Sequence, residues 1–168
     1  MLKKYLNKNN GIKLIIFTFV SLVLIFIDQF TKQVLTKNLA NGNKIIVIPE
    51  IFEMFYLENR GAAFGILQGQ KVLFFVITIV VLLILIAFLF RLPYQKRYMP
   101  LYIVLILIFS GAIGNFIDRI TKGYVVDFLY FKPINFPLFN LADSYITIAC
   151  FLLLYLIVFH YKEEELKF

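Results

Sequence analysis

Residues 110–144 read SGAIGNFIDRITKGYVVDFLYFKPINFPLFNLADS, and how this stretch is read decides what the whole chain is. It leaves one very apolar segment and enters another, yet it holds Asn115, Asp118, Arg119, Asp127, Asn140 and Asp143. Acidic residues are scarce elsewhere: the chain has 10, and three of them stand together at Glu163–Glu165. Carboxylates where a chain enters or leaves lipid are costly, so in such places they point to function.

The rest of the composition fits a membrane protein. Of 168 residues, 61% are hydrophobic and only 16% charged, with a mean hydropathy of +0.86. A soluble domain of this length carries nearer a quarter charged residues. The net charge of +7 does not indicate nucleic acid, because Lys and Arg lie between or beside the apolar runs, where they set topology and meet anionic headgroups. The single Cys150 lies inside an apolar run and reads as a small hydrophobe, which excludes an intramolecular disulfide and a cysteine-rich metal site. The single His160 reads as an interfacial residue. With it go HExxH zinc chemistry, a Cys–His pair and a Ser–His–Asp triad. No cofactor or metal is called for.

Working outward in both directions, hydropathy predicts four spans at about residues 12–32, 71–91, 98–118 and 139–160. Lys3, Lys4, Lys8 and Lys13 precede the first, and Asp28 falls near its outer end. No small-x-small cleavage site follows it, so it reads as a retained helix rather than a removed leader. Residues 43–68 change character. Asn41-Gly42 is a turn signal, and IIVIP and EMFYL are rich in β-branched and aromatic residues. Two or three short strands are expected there, with irregular loop as the alternative. NRGAAFGILQG (59–69) then supplies small residues that let backbone approach backbone or substrate. The predicted fold is a membrane all-α protein of four transmembrane helices with a short extracytoplasmic β cradle between helices one and two, forming one domain over 1–168. The basic loop Arg91–Arg97 and the basic N-terminus place both termini in the cytoplasm. Ser110 and Gly114 form a small-residue notch for helix packing.

With this topology every polar cluster falls at one interface and none at the other. Asp28, Asn59, Asn115, Asp118, Arg119, Asn140 and Asp143 all lie at the outer level. Asn115 shares a helix face with Asp118 and Arg119, three and four residues on. Asp127, in the apolar context VVDF, has no capping role to explain it, and its connector to Asp143 can fold back and bring the two together. Two carboxylates in contact tend to share one proton. The ionised one can then take a proton from water while the protonated one polarises a carbonyl. Arg119 is expected to balance Asp118, and Asn59, Asn115 and Asn140 to hold a peptide or orient the carboxylates. Plainer roles stand beside these: Asp28 paired with Lys32, Asp118 ion-paired to Arg119, and Asn140 and Asp143 as caps of the fourth span. An ion-coupled transporter or channel subunit is the alternative from another class, although its polar residues should lie near the midplane.

The motifs DQFTK (28–32), NRGAAFG (59–65), GNFIDR (114–119), VVDF (125–128) and FNLAD (139–143), taken in order, resemble the lipoprotein signal peptidases, the type II signal peptidases of bacteria. Ser110 and Arg60 are small departures that touch neither Asp127 nor Asp143. The resemblance implies a four-helix aspartyl peptidase of the bacterial cytoplasmic membrane, with its site near the outer leaflet. Its substrates would be prolipoproteins, cut just before a cysteine already carrying a diacylglyceryl group. It implies Asp127 and Asp143 as the catalytic pair, Asn59, Asn115, Arg119 and Asn140 as residues lining the site, and Asp28, Lys32 and Asp118 as supporting polar residues. It also implies membrane lipid as a partner, inhibition by a globomycin-type peptide, and a monomer.

Overall fold

The computed structural model describes residues 8–61 and 70–167. Four helices among them are long and apolar enough to cross a membrane: α1 (Lys8–Leu39), α2 (Lys71–Arg91), α3 (Met99–Thr121) and α4 (Leu141–Tyr155), the last extended by a π turn over Leu156–His160. Much of their apolar surface points outward, including Phe19, Phe26, Leu83, Ile84, Phe151 and Phe159, as a lipid-facing surface requires. α3 is the exception. Half of its span is buried, against 11–22% for the other three, so it is the post around which they stand.

Two glycines let α3 occupy that position. A Cβ on Gly111 would come within 2.5 Å of the Ala142 carbonyl oxygen, and one on Gly114 within 2.6 Å of Asp28 Oδ2. The small-residue notch is therefore real, with Gly111 added to it, and it seats α1 and α4 rather than a single neighbour.

α1 continues past Asp28 to Leu39, beyond the predicted end of the span at residue 32. The polar residues do not end it because they turn inward: Asp28 and Lys32, one helical turn apart, form a fully buried ion pair at 2.9 Å. The extra turns carry Leu35 out of the bundle to pack against the sheet.

The sheet has three antiparallel strands in the order β1 (Lys44–Ile48), β2 (Phe52–Asn59), β3 (Val125–Phe131). The first two follow α1 as the composition predicts, joined by a tight turn in which Glu50 takes a left-handed conformation (φ 61°). The third corrects the prediction that the cradle lies wholly between helices one and two, since it comes from the connection between α3 and α4. VVDFLYF carries no alternating pattern because both of its faces are covered. Val126, Phe128 and Leu129 form the core of this layer.

The end of the bundle away from the sheet also corrects an expectation, because it is not free of polar clusters. Lys13 is buried, and its Nζ donates to the Leu89 and Leu92 carbonyl oxygens at 2.9 and 3.1 Å. It is a cation closing the C-terminus of α2 rather than a headgroup contact. Nearby, Arg97 grips Glu165 through Nε and Nη2 (2.8 and 3.0 Å) and lies 4.9 Å from the Tyr161 ring. Hydrogen bonds from Arg97 hold the Glu165 carboxyl down to about 2.

Candidate active site

The sheet and the adjoining ends of α3 and α4 line a cavity of about 560 Å³. Asp127 from β3 and Asp143 from the first turn of α4 both face it, together with Asn59, Asn115 and Arg119. Its remaining wall is largely apolar and includes Phe131, Phe136, Phe139, Ile146 and Ile148.

Each carboxylate oxygen of the pair accepts one hydrogen bond from the protein. Asp127 Oδ1 accepts from Asn140 Nδ2 at 2.7 Å and its Oδ2 from Asn59 Nδ2 at 2.8 Å. Asn59 reaches it diagonally across the β2–β3 pairing, where Leu57 opposes Asp127 and Asn59 opposes Val125. Asp143 Oδ1 accepts from Asn115 Nδ2 at 2.7 Å, and its Oδ2 accepts from the Asn140 backbone N–H at 3.1 Å. Asn140 therefore touches both acids. Its own Oδ1 accepts from the Asp143 N–H at 3.0 Å, completing a reciprocal cap at the start of α4. The capping and site roles expected for these residues are thus compatible: the cap is the device that aims Asp143.

The three asparagines are oriented by what their oxygens accept. Asn59 Oδ1 takes the Gly61 N–H, and Asn115 Oδ1 takes Lys32 Nζ at 3.0 Å and Asn140 Nδ2 at 3.1 Å. With the oxygens occupied, each amide nitrogen points at a carboxylate. Their amide nitrogens thus orient the two acids.

Beneath this layer lies Lys32, fully buried. Its ammonium forms ion pairs with Asp28 Oδ2 at 2.9 Å and Asp118 Oδ2 at 3.3 Å and donates a hydrogen bond to Asn115 Oδ1 at 3.0 Å. The supporting acids also hold backbone in place. Asp28 Oδ1 accepts from the Ala142 N–H at 3.0 Å in the first turn of α4, and Asp118 Oδ2 accepts from the Val126 N–H at 3.1 Å beside Asp127. One buried cation thus links α1, α3, β3 and α4.

The expected Asp118–Arg119 ion pair is absent among the described residues. Consecutive residues on a helix do not face one another. Asp118 turns to Lys32 and, four residues on, to Lys122 at 2.8 Å, while Arg119 turns to the cavity, its guanidinium 4.8 Å from the Phe74 ring. Sequence reasoning passed over Lys122 and Gln29, whose Nε2 joins Asp28 to the Gly114 carbonyl (3.1 and 2.9 Å). The i, i+4 spacing of Asp118 and Lys122 was the available signal. The predicted close-approach segment lies partly in residues 62–69, outside the described residues.

The carboxyl of Asp127 is pushed up to about 7, first by burial and then by the charge of Asp143, against the opposing pull of Asn59, Asn140 and Lys32. At neutral pH the pair can hold one proton between them, which suits one acid and one base in the same cavity. Among the described residues no cluster of three or more His, Cys, Asp or Glu side chains could hold a metal ion.

A family model described as Signal peptidase (SPase) II matches residues 20–159. A lipoprotein signal peptidase of Streptococcus thermophilus is 45% identical over 144 residues, 86% of this chain and 91% of that protein. One from Caldanaerobacter subterraneus subsp. tengcongensis is 46% identical over 137 residues, 81% and 91% of the two chains. A solved structure described as a bacterial membrane enzyme determined by the in meso method at 2.3 Å superposes with a TM-score of 0.78 at 34% identity, covering 90% of this chain and 94% of that one.

Proposed function

Because this chain belongs to the signal peptidase II family, a lipoprotein signal peptidase and aspartic peptidase of the bacterial membrane, we propose that Asp127 and Asp143 activate the water that cuts its prolipoprotein substrates. The cut falls just before the diacylglyceryl cysteine. The observation that carries this reading is the shared cavity, lined by both carboxylates, in which Asn140 touches both and each carboxylate oxygen accepts one hydrogen bond from the protein.

The reaction follows from the proton inventory. Asn59, Asn115 and Asn140 donate to the acids from the protein side, so the shared proton lies on the cavity side. Water enters between the acids, and the ionised carboxylate takes one of its protons as the oxygen attacks the scissile carbonyl carbon. The protonated carboxyl donates to the carbonyl oxygen and stabilises the charge that develops there. Collapse of the tetrahedral intermediate returns a proton to the leaving amide nitrogen and restores the singly protonated pair. Lys32 lies beneath the site, ion-paired to Asp28 and Asp118, and acts on the acids through Asn115.

The apolar cavity wall suits a lipid-bearing peptide, whose chains remain in the bilayer while the scissile bond meets water at the interface. In this proposal both termini are cytoplasmic and the site opens near the outer leaflet, where a globomycin-type peptide would compete with substrate. One protomer contains the whole site.

The test is cleavage of a diacylglyceryl prolipoprotein by the purified protein, read as a gel shift, with unlipidated substrate as control. Asp127→Asn and Asp143→Asn should each lower kcat at least about 10³-fold while the protein stays folded in detergent. Near-normal cleavage by either variant would make that aspartate structural and end the two-acid mechanism.

A further inference from the structure

Arg119 stands between two cavities. It lines the one that holds Asp127 and Asp143, and it also lines a second, apolar groove of about 260 Å³ between Val72 and Phe75 of α2 and Phe116 and Ile120 of α3. The rings of Phe75 and Phe116, 5.3 Å apart, form part of its wall, and Val72 and Ile120 are exposed toward lipid. Arg119 is thus the residue that the cavity of the two acids and this exposed groove have in common.

The guanidinium at this junction has unfilled hydrogen-bonding capacity. It rests on the Phe74 ring, and among the described residues no hydrogen bond or ion pair uses its five N–H donors. At membrane depth a donor set left unpaired is costly, so an acceptor belongs there when the site is filled. Charge decides which kind. Lys32 and Lys122 balance Asp28 and Asp118 in the layer below. The singly protonated pair carries one negative charge and Arg119 one positive, so the site is already neutral. A phosphate would add like charge beside the acids, whereas an ester carbonyl supplies acceptor lone pairs without it.

We propose that one acyl chain of the substrate's diacylglyceryl group runs from the cavity of the two acids past Arg119 into the α2–α3 groove, with Arg119 donating to that chain's ester carbonyl. This rests on the peptidase reading above and adds to it the place where the lipid is recognised. It makes the groove a gauge of chain length, and it explains why a basic residue stands at the mouth of an apolar channel. The signal peptide is then free to leave by another side of the cavity.

Two measurements test it. In the first, peptides whose cysteine carries either a dipalmitoyl or a dibutyryl glyceryl group are compared by kcat/KM. Filling the groove with Val72→Trp or Ile120→Trp should lower the long-to-short ratio about tenfold or more, chiefly through KM for the long-chain peptide. In the second, Asp127→Asn protein is loaded with uncleaved substrate bearing a photoreactive group on one acyl chain, and adducts are expected on residues 72–75 and 116–120. Unchanged ratios in both tryptophan variants, or adducts confined to α1 and α4, would overturn the groove while the natural protein's cleavage kept the peptidase reading intact. If the natural protein cut no lipidated peptide at all, both readings would fall together.

Discussion

The two ends of the bundle both bury charge, and they do it for different ends. Away from the sheet, buried Lys13 is closed off by the Leu89 and Leu92 carbonyls, while the exposed Arg97 bonds Glu165 and the end of α4. Each of these cations terminates on the last turn of a helix or on the tail that follows one. At the sheet end the cation Lys32 is closed off too, but by side chains that lead upward through Asn115 to two acids with capacity to spare. Buried charge alone does not mark a site. What distinguishes the site is a saturated lower layer holding an unsaturated upper one.

This contrast can be broken or sharpened by substitution, and the largest effect should come from its centre. Lys32→Met keeps the side chain's length while leaving Asp28 and Asp118 buried without their shared partner. It should lower stability by about 3–5 kcal/mol, read as the urea or thermal midpoint in detergent. A loss under about 1 kcal/mol would mean that the lower layer is not a hub.

Next comes the pH dependence of the natural protein. Asp127 has its carboxyl raised to about 7 in the fold, against roughly 3.9 in an unfolded chain. Between those values the folded state holds the extra proton, so this contribution is fully present below about pH 4 and is lost as pH rises through 7. The loss amounts to at most about 4 kcal/mol. Thermal midpoints taken from about pH 4 to 8 should fall accordingly, and the slope should flatten in Asp127→Asn. An equal slope in the variant would show that Asp127 is not the titrating group.

The opposite end should respond more weakly. Lys13→Met exchanges two charge-assisted hydrogen bonds for apolar packing, and should cost about 1–2 kcal/mol while kcat/KM is retained. Arg97→Ala should shift the midpoint least of all, because its partner Glu165 is solvated and screened. A fall in kcat/KM from either change would show that the two ends are coupled through α3.

Much of this arrangement was legible in the chain. Four apolar runs and a small sheet follow from hydropathy and β-branched composition, which are local sums that tertiary structure rarely reverses in lipid. The gathering of Asp28, Asn115, Asp118, Asn140 and Asp143 at one level follows from counting residues along those spans at 1.5 Å each. β3 was harder to see, since a strand covered on both faces loses the alternation by which strands are recognised.

What the sequence by itself determined, then, was which residues share a membrane level and which chemistry they could perform together. Only the tertiary structure decided who partners whom at that level. Asp118 passes over its neighbour Arg119 for Lys32, 86 positions earlier in the chain, and Lys13 finds carbonyls 76 and 79 residues away. The physical reason is that depth in the bilayer is set by each helix alone. Rotation and register are set by the contact between helices, here the close approach at Gly111 and Gly114, and those contacts select one arrangement from the several that the same local pattern permits.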